Sequence, residues 1–227
     1  MKKSNHNFGK NVIIYEGAKV DESCEIGDFS IIYPNAIIKE NCLIGTSCII
    51  GKPPLVGRNQ MSLNALRTNT IIECDTIISD QVIIYAGVKI GSNSYFADKS
   101  FVRENVHIEK DVIIGTAVTI SFNASIGAKT KIMTGTNIGG NMIIGKECFI
   151  GAHVCSVNDN KPNLKRSREK QNSAVIEDGV FVGSNTTILP NLKISKNITV
   201  ASGSVITKSL VDSNSIYMGA PAKKIKK

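Results

Sequence analysis

The segment IECDTIISDQVIIYAGVKIGSNSYFADKSFVRENVHIEKDVIIGTAVTISFNASIGAKTKIMTGTNIGGNMIIGKECFI (Ile72–Ile150) carries an apolar residue at every sixth position. The ladder reads Ile72, Ile78, Ile84, Ile90, Phe96, Val102, Ile108 and onward to Ile150 with no position missed. The residue four further on is small or β-branched, as at Thr76, Val82, Val88, Ser94, Ser100 and Val106; Met142 is the one large exception. Helices repeat about every 3.6 residues and strands about every 2, so this period belongs to neither. It describes a short strand and a corner, repeated. Self-similarity at a fixed short period is the mark of a solenoid.

The same ladder runs earlier, from Ile14 through Val20, Ile26, Ile32, Ile38 and Ile44 to Ile50. It resumes from Ile176 through Val182, Ile188, Ile194 and Val200 to Ile206. With three rungs per turn it closes at about nine coils. The third residue after each rung is rich in Gly, Asn and Asp, as at Gly17, Asn35, Asn41, Asp75, Gly87, Asn93 and Asn105. These residues tolerate positive φ, which a sharp corner needs. Strand, filler and corner point to one structure.

Two stretches break the phase, Gly51–Thr70 and Ser156–Asn172. Both read as loops ejected from a corner. Loops longer than about 12–15 residues in a compact domain are usually functional or disordered. The expected layout is a β-helix over 11–208 with loops at 51–70 and 156–172, then a basic tail over 209–227. The tail is placed to cover the sheet edges of the last coil.

The 227 residues carry a net charge of +8, partly concentrated in Lys161–Lys170 and the terminal PAKKIKK. Basic clusters seek phosphate or carboxylate. No recognition-helix pattern or aromatic stacking motif accompanies them, so nucleic acid is not expected. The first residues lack the apolar run of a signal peptide, and no apolar stretch reaches the roughly 20 residues of a spanning helix. A cytoplasmic protein without membrane contact is the expectation. The six cysteines include no C-x-x-C pair; Cys24, Cys42, Cys48 and Cys148 fall at the small-residue position and read as buried fillers. Cys74 and Cys155 fall elsewhere in the repeat and carry no clear signal.

The repeated [LIV]-G-x-x-[STAVC]-x pattern resembles the hexapeptide-repeat acyltransferases. VIEDGVFVGSNTTILPNLKISKNITVASGSVITKS followed by YMGAPAKKIK is similar to the C-terminal segment of sugar and serine acetyltransferases. The resemblance implies an all-β, left-handed parallel β-helix and a homotrimer. It implies acetyl-CoA or another acyl-CoA as co-substrate, bound in a groove between neighbouring subunits. By position, Ser184, Ser202, Thr207 and Lys208 flank the pantetheine arm or phosphates, and Lys223 and Lys226 meet the nucleotide phosphates. Ser195 and Ala201 replace consensus glycines, and Ser209 replaces the Asp of the TKD motif.

Many O-acetyltransferases of this family carry a histidine in the loop corresponding to Ser156–Asn172. Here that loop begins SVNDNKP and has none. A hydroxyl nucleophile needs a base within about 2.6–3.2 Å, whereas a neutral amine depends on one less. The loop is more similar to that of the branch that N-acylates nucleotide-linked amino sugars in surface polysaccharide biosynthesis. Asn158 and Asn160 are candidate acceptor contacts, and Asp159 a candidate proton acceptor or an ordinary turn residue. His153, just before the loop, is a candidate base or a corner residue standing where Asn usually stands. His107 is the weaker alternative, and His6 precedes the repeat. Arg58 and Arg67 in the first loop suit bidentate contacts to a diphosphate, or pack on a neighbouring subunit. O-acylation and a non-catalytic scaffold are the other readings. The zinc carbonic anhydrase of this fold needs three histidine ligands, two of them closely spaced, and no metal is expected here.

Overall fold

The computed structural model describes residues 7–55, 68–159 and 173–225. Among them there is no helix; the strands form three sheets of twelve, ten and nine strands. The chain visits the sheets in strict rotation. Asn7–Phe8 lies in the first sheet, Ile13–Ile14 in the second and Lys19–Val20 in the third, and each round adds one strand to each. All pairings between coils are parallel. The result is a β-solenoid of about ten turns that matches a left-handed β-helix.

Period six follows from the pleat. In a two-residue strand the second side chain points inward and the first outward. Ile114, Ile120 and Ile126 are fully buried, one per sheet. The small residue four further on packs into the corner of the same core: Val112, Val118 and Ala124 are buried beside them. The third residue after nearly every rung takes positive φ whatever its identity, Ser23 being an exception. Asn105, Asp111 and Asn123 do so, and so do Phe29, Lys99, Ala117 and Glu147. The corner geometry thus overrides residue preference at several coils. Side chains on successive corners hydrogen-bond, with Asn93 Nδ2 donating to Asp111 Oδ1 at 2.7 Å and Asn123 Nδ2 to Asn141 Oδ1 at 3.1 Å.

Several polar fillers bond to the next coil, whereas Thr186 and Ser204 make their shortest bonds within their own and Ser100 Oγ is buried without a partner among the described residues. Thr130 Oγ1 donates to the Gly145 carbonyl at 2.8 Å and accepts from Cys148 N at 3.1 Å. The cysteines use the same slot: Cys42 Sγ donates to the Glu73 carbonyl at 3.2 Å and Cys48 Sγ to that of Ser79 at 2.9 Å. Burial pushes the Cys42 thiol from 9.0 up to about 12 and the Cys48 thiol to about 11. Unfolded thiols ionise near 9.0, while these two remain protonated in the fold. The stability they support is therefore complete below pH 9.0 and is lost as pH rises through about 11 and 12. Denaturant midpoints should fall over that window, and native thiol titration at neutral pH should label exposed Cys155 while sparing Cys42 and Cys48. Labelling of either core thiol in the native state would contradict this.

Two rungs escape the sequence ladder. Phe8 pairs with Ile26, one position before Ile14, and Ser156 pairs with Ile188. Ser156 is polar yet only 6% exposed. Its hydroxyl accepts from Gly139 N at 2.7 Å and donates to the Asn137 carbonyl at 3.1 Å. With Leu210, which bridges Ile194, these two rungs make three, enough for a tenth turn. At the other end the tail closes the last coil. Leu210 bridges Ile194, Tyr217 pairs with Val200, and Lys223–Lys224 folds back antiparallel on Ile216–Met218. Leu210 and Tyr217 are buried in the core.

Candidate functional site

Both interruptions leave from the same corner. The first lies between Ile49–Lys52 of the second sheet and Thr70–Ile72 of the third. The second lies between Cys155–Ser156 and Val175–Ile176 of the same two sheets. Five strand steps separate Ile49–Lys52 from Cys155–Ser156 in the second sheet. At about 4.8 Å per step, that is ~24 Å along the axis. Arg58, Arg67 and Asn160, together with Lys226, lie outside the described residues.

At the base of the second loop the floor is bare backbone. A Cβ on Gly139 would sit 3.2 Å from Ser173 Oγ and 3.4 Å from Asn158 Cβ. One on Gly140 would sit 2.7 Å from the Phe122 ring. Two adjacent glycines thus let Phe122, Asn158 and Ser173 approach one strip of chain, and Ser173 Oγ donates to the Gly140 carbonyl. Asn158 and Asp159 are partly buried here. Thr207 and Lys208 belong to the same corner two strand steps further along, and both are exposed.

His153, Ser184 and Ser202 occupy a different edge, the corner between the first and second sheets. His153 is a corner residue with φ 56°, exposed, its ring against Gly135 of the preceding coil. Gly203 N donates to the Ser184 carbonyl at 2.8 Å, which stacks the next two coils on this edge. A Cβ on Gly203 would meet nothing within 4 Å, so the edge is open at its last coil. A single chain therefore does not bring His153 to Asp159; the width of the second sheet lies between them. Lys223 is exposed on the tail. His107 faces outward from the third sheet, beside a cavity of about 370 Å3 also bordered by Lys89, Glu109, Lys110 and Lys146.

Sequence reasoning missed a further cluster on the loop-bearing corner. Arg103 Nε and Nη2 donate to the two carboxylate oxygens of Glu104 at 2.7 and 2.8 Å. Glu104 is fully buried. Tyr85 lies beside it, with its ring edge-on to Phe101 at 5.4 Å. Lys52 Nζ stands 5.4 Å and Arg103 Cζ 5.6 Å from the Tyr85 centroid. An adjacent Arg-Glu pair reads in sequence as a solvated surface pair. No signal in the sequence marked it, because the corner it occupies follows only once Ser156 is counted as a rung.

Residues 174–208 match the family model described as the hexapeptide repeat of succinyl-transferase. The last coils carry that family's hexapeptide repeat. Among curated relatives, the repeat is 29% identical over 85 residues to a galactoside O-acetyltransferase of Lactococcus lactis, covering 33% of this chain and 41% of that one. It is 42% identical over 50 residues to the bifunctional protein GlmU of Thermosipho africanus, covering 22% and 11%. The aligned part is thus less than half the length of either relative. Among solved structures it is similar to the polySia-specific acetyltransferase NeuO, with 18% identity, TM-score 0.40 and 97% and 86% of the two chains covered. A UDP-N-acetylglucosamine acyltransferase from Campylobacter jejuni gives 14% identity, TM-score 0.45 and coverage of 93% and 73%. These structural likenesses bring no substrate with them.

Proposed function

We propose that the protein is an acyl-CoA-dependent acyltransferase that acts on a sugar, with the amino group of a nucleotide-linked sugar as acceptor. The hexapeptide match over the last coils supports the class. The observation that carries the site is the sorting of candidate residues onto two edges. Ser184 and Ser202 line the open first–second corner, where a pantetheine arm would fit against bare backbone. Asn158 and Asp159 stand at the base of the second loop on the next corner. In a homotrimer, the first edge of one copy faces the loop-bearing edge of its neighbour, and the groove between them unites donor and acceptor.

In that groove the acceptor amine attacks the thioester carbonyl carbon. The carbon–sulfur bond breaks, the thiolate leaves as coenzyme A and the amine proton passes to Asp159 or directly to the thiolate. Lys208 and Lys223, both exposed cations near the last coils, would meet the phosphates of coenzyme A. An amine needs little help from a base, which agrees with a second loop that contains no histidine. O-acylation is the second reading, favoured by the proximity of His153 to the Ser184 edge.

Thiol release measured across amino-sugar and hydroxy-sugar nucleotides separates the two. Activity on the amino sugars that survives His153→Ala is expected. Activity confined to hydroxy sugars and abolished by His153→Ala would replace N- with O-transfer. Calorimetry with coenzyme A alone tests the class, and absence of binding would favour a scaffold.

A further inference from the structure

The loop-bearing corner holds a charged cluster that the repeat does not require. Glu104 stands two residues after its rung. The same position is Ala86 in the coil before and Phe122 in the coil after. A buried carboxylate loses its hydration and persists only when paired and hydrogen-bonded. Arg103 supplies that pairing with two parallel N–H bonds. The bond pair also fixes the plane of the guanidinium. Two of its five donors are used, and those of Nη1 and the outer Nη2 hydrogen are left for another acceptor. The Arg103 side chain is 33% exposed, so solvent or a ligand reaches it.

Lys52 comes from the neighbouring coil, its backbone in register with Tyr85. Both cations stand by the Tyr85 ring, which places the two cationic centres within about 11 Å of each other. A ring face attracts one cation readily. Two cations beside one ring repel unless an anion answers them. Glu104 answers one charge, and one net positive charge remains. Phe101, half-buried and edge-on to Tyr85, adds apolar surface beside the two cations.

We propose that Arg103 and Lys52, oriented by Tyr85 and buried Glu104, form a subsite for the oxyanion of a negatively charged sugar. This deepens the acyltransferase reading and rests on it for the role of that sugar as acceptor. The subsite lies on the corner that also ejects both loops, between their points of departure. The oxyanion is either the diphosphate of a sugar nucleotide or the carboxylate of an acidic sugar; the fork of Arg103 suits both.

The test is calorimetry on the full chain with uridine diphosphate and, separately, glucuronate, each with and without saturating coenzyme A. At least one anion should bind, while neutral N-acetylglucosamine should bind far more weakly. Which anion binds identifies the source of the charge. Arg103→Ala and Lys52→Ala should each weaken that binding at least about tenfold. If Arg103→Ala fails to fold, Arg103→Lys keeps the charge, loses the fork and should still weaken binding. Coenzyme A affinity should be unchanged in every variant. Failure of both anions to bind, or affinity in Lys52→Ala and Arg103→Lys equal to that of the unaltered protein, overturns the subsite. Loss of coenzyme A binding in the unaltered protein instead overturns the acyltransferase reading and leaves the anion result standing.

Discussion

Mixing two inactive variants should restore about a quarter of the activity of the unaltered protein. Asp159→Trp fills the base of the second loop, displaces the acceptor and should lower kcat by about 10²-fold or more. Ser184→Trp fills the open edge between the first and second sheets and should abolish turnover by excluding the donor. Each variant retains the edge that the other has lost. If each groove takes one edge from each of two neighbouring copies, random assortment of a one-to-one mixture gives about a quarter of the grooves two intact edges. Co-expression followed by a thiol-release assay reads this directly. A mixture as inactive as its parents would mean that one chain supplies the whole site, which the separation of His153 from Asp159 argues against.

Phe96→Ala should cost about 3–5 kcal/mol. Phe96 is the largest fully buried side chain among the described residues, and it stacks between Ile78 and Ile114 in the first sheet. Truncation leaves a gap that its neighbours cannot close, because their backbones are tied to adjacent coils. Phe96→Leu should cost below about 1.5 kcal/mol, since volume is largely kept. In a solenoid each coil touches only its neighbours, so the loss is local. Hydrogen exchange should accelerate first around Tyr95–Phe96 and its paired strands. Urea midpoints of the two variants that coincide would show that the core has no tight packing at this rung.

The fold was legible because its driving pattern is one-dimensional. A rung residue faces the core at every coil, so burial writes itself into sequence as a period. Ser156 shows where this breaks down. A serine at a core position is invisible to a search for apolar residues, and only its bonds to Gly139 and Asn137 explain it. The omission matters for function. With Ile150 taken as the last rung before the second loop, the two loops depart from different corners. With Ser156 counted, they share one. Asn158 and Asp159 could be named from the loop motif, but their separation from His153 depends on three-dimensional phase. The Arg103–Glu104 pair was unreadable for a related reason: its burial is set by which coil and which corner it occupies, not by its own chemistry.

The shared departure corner also limits how such a chain can change length. Successive coils align residues eighteen apart, as Asn93 and Asp111 do. Inserting or deleting a complete coil between the loops would alter only their spacing along the axis. Inserting a single hexapeptide would rotate everything downstream by about a third of a turn and carry the second loop to another corner. Tolerance to insertion in this stretch is therefore quantised: whole coils adjust reach, and fractions of a coil dismantle the alignment of the two loops while leaving every local contact of the repeat satisfied.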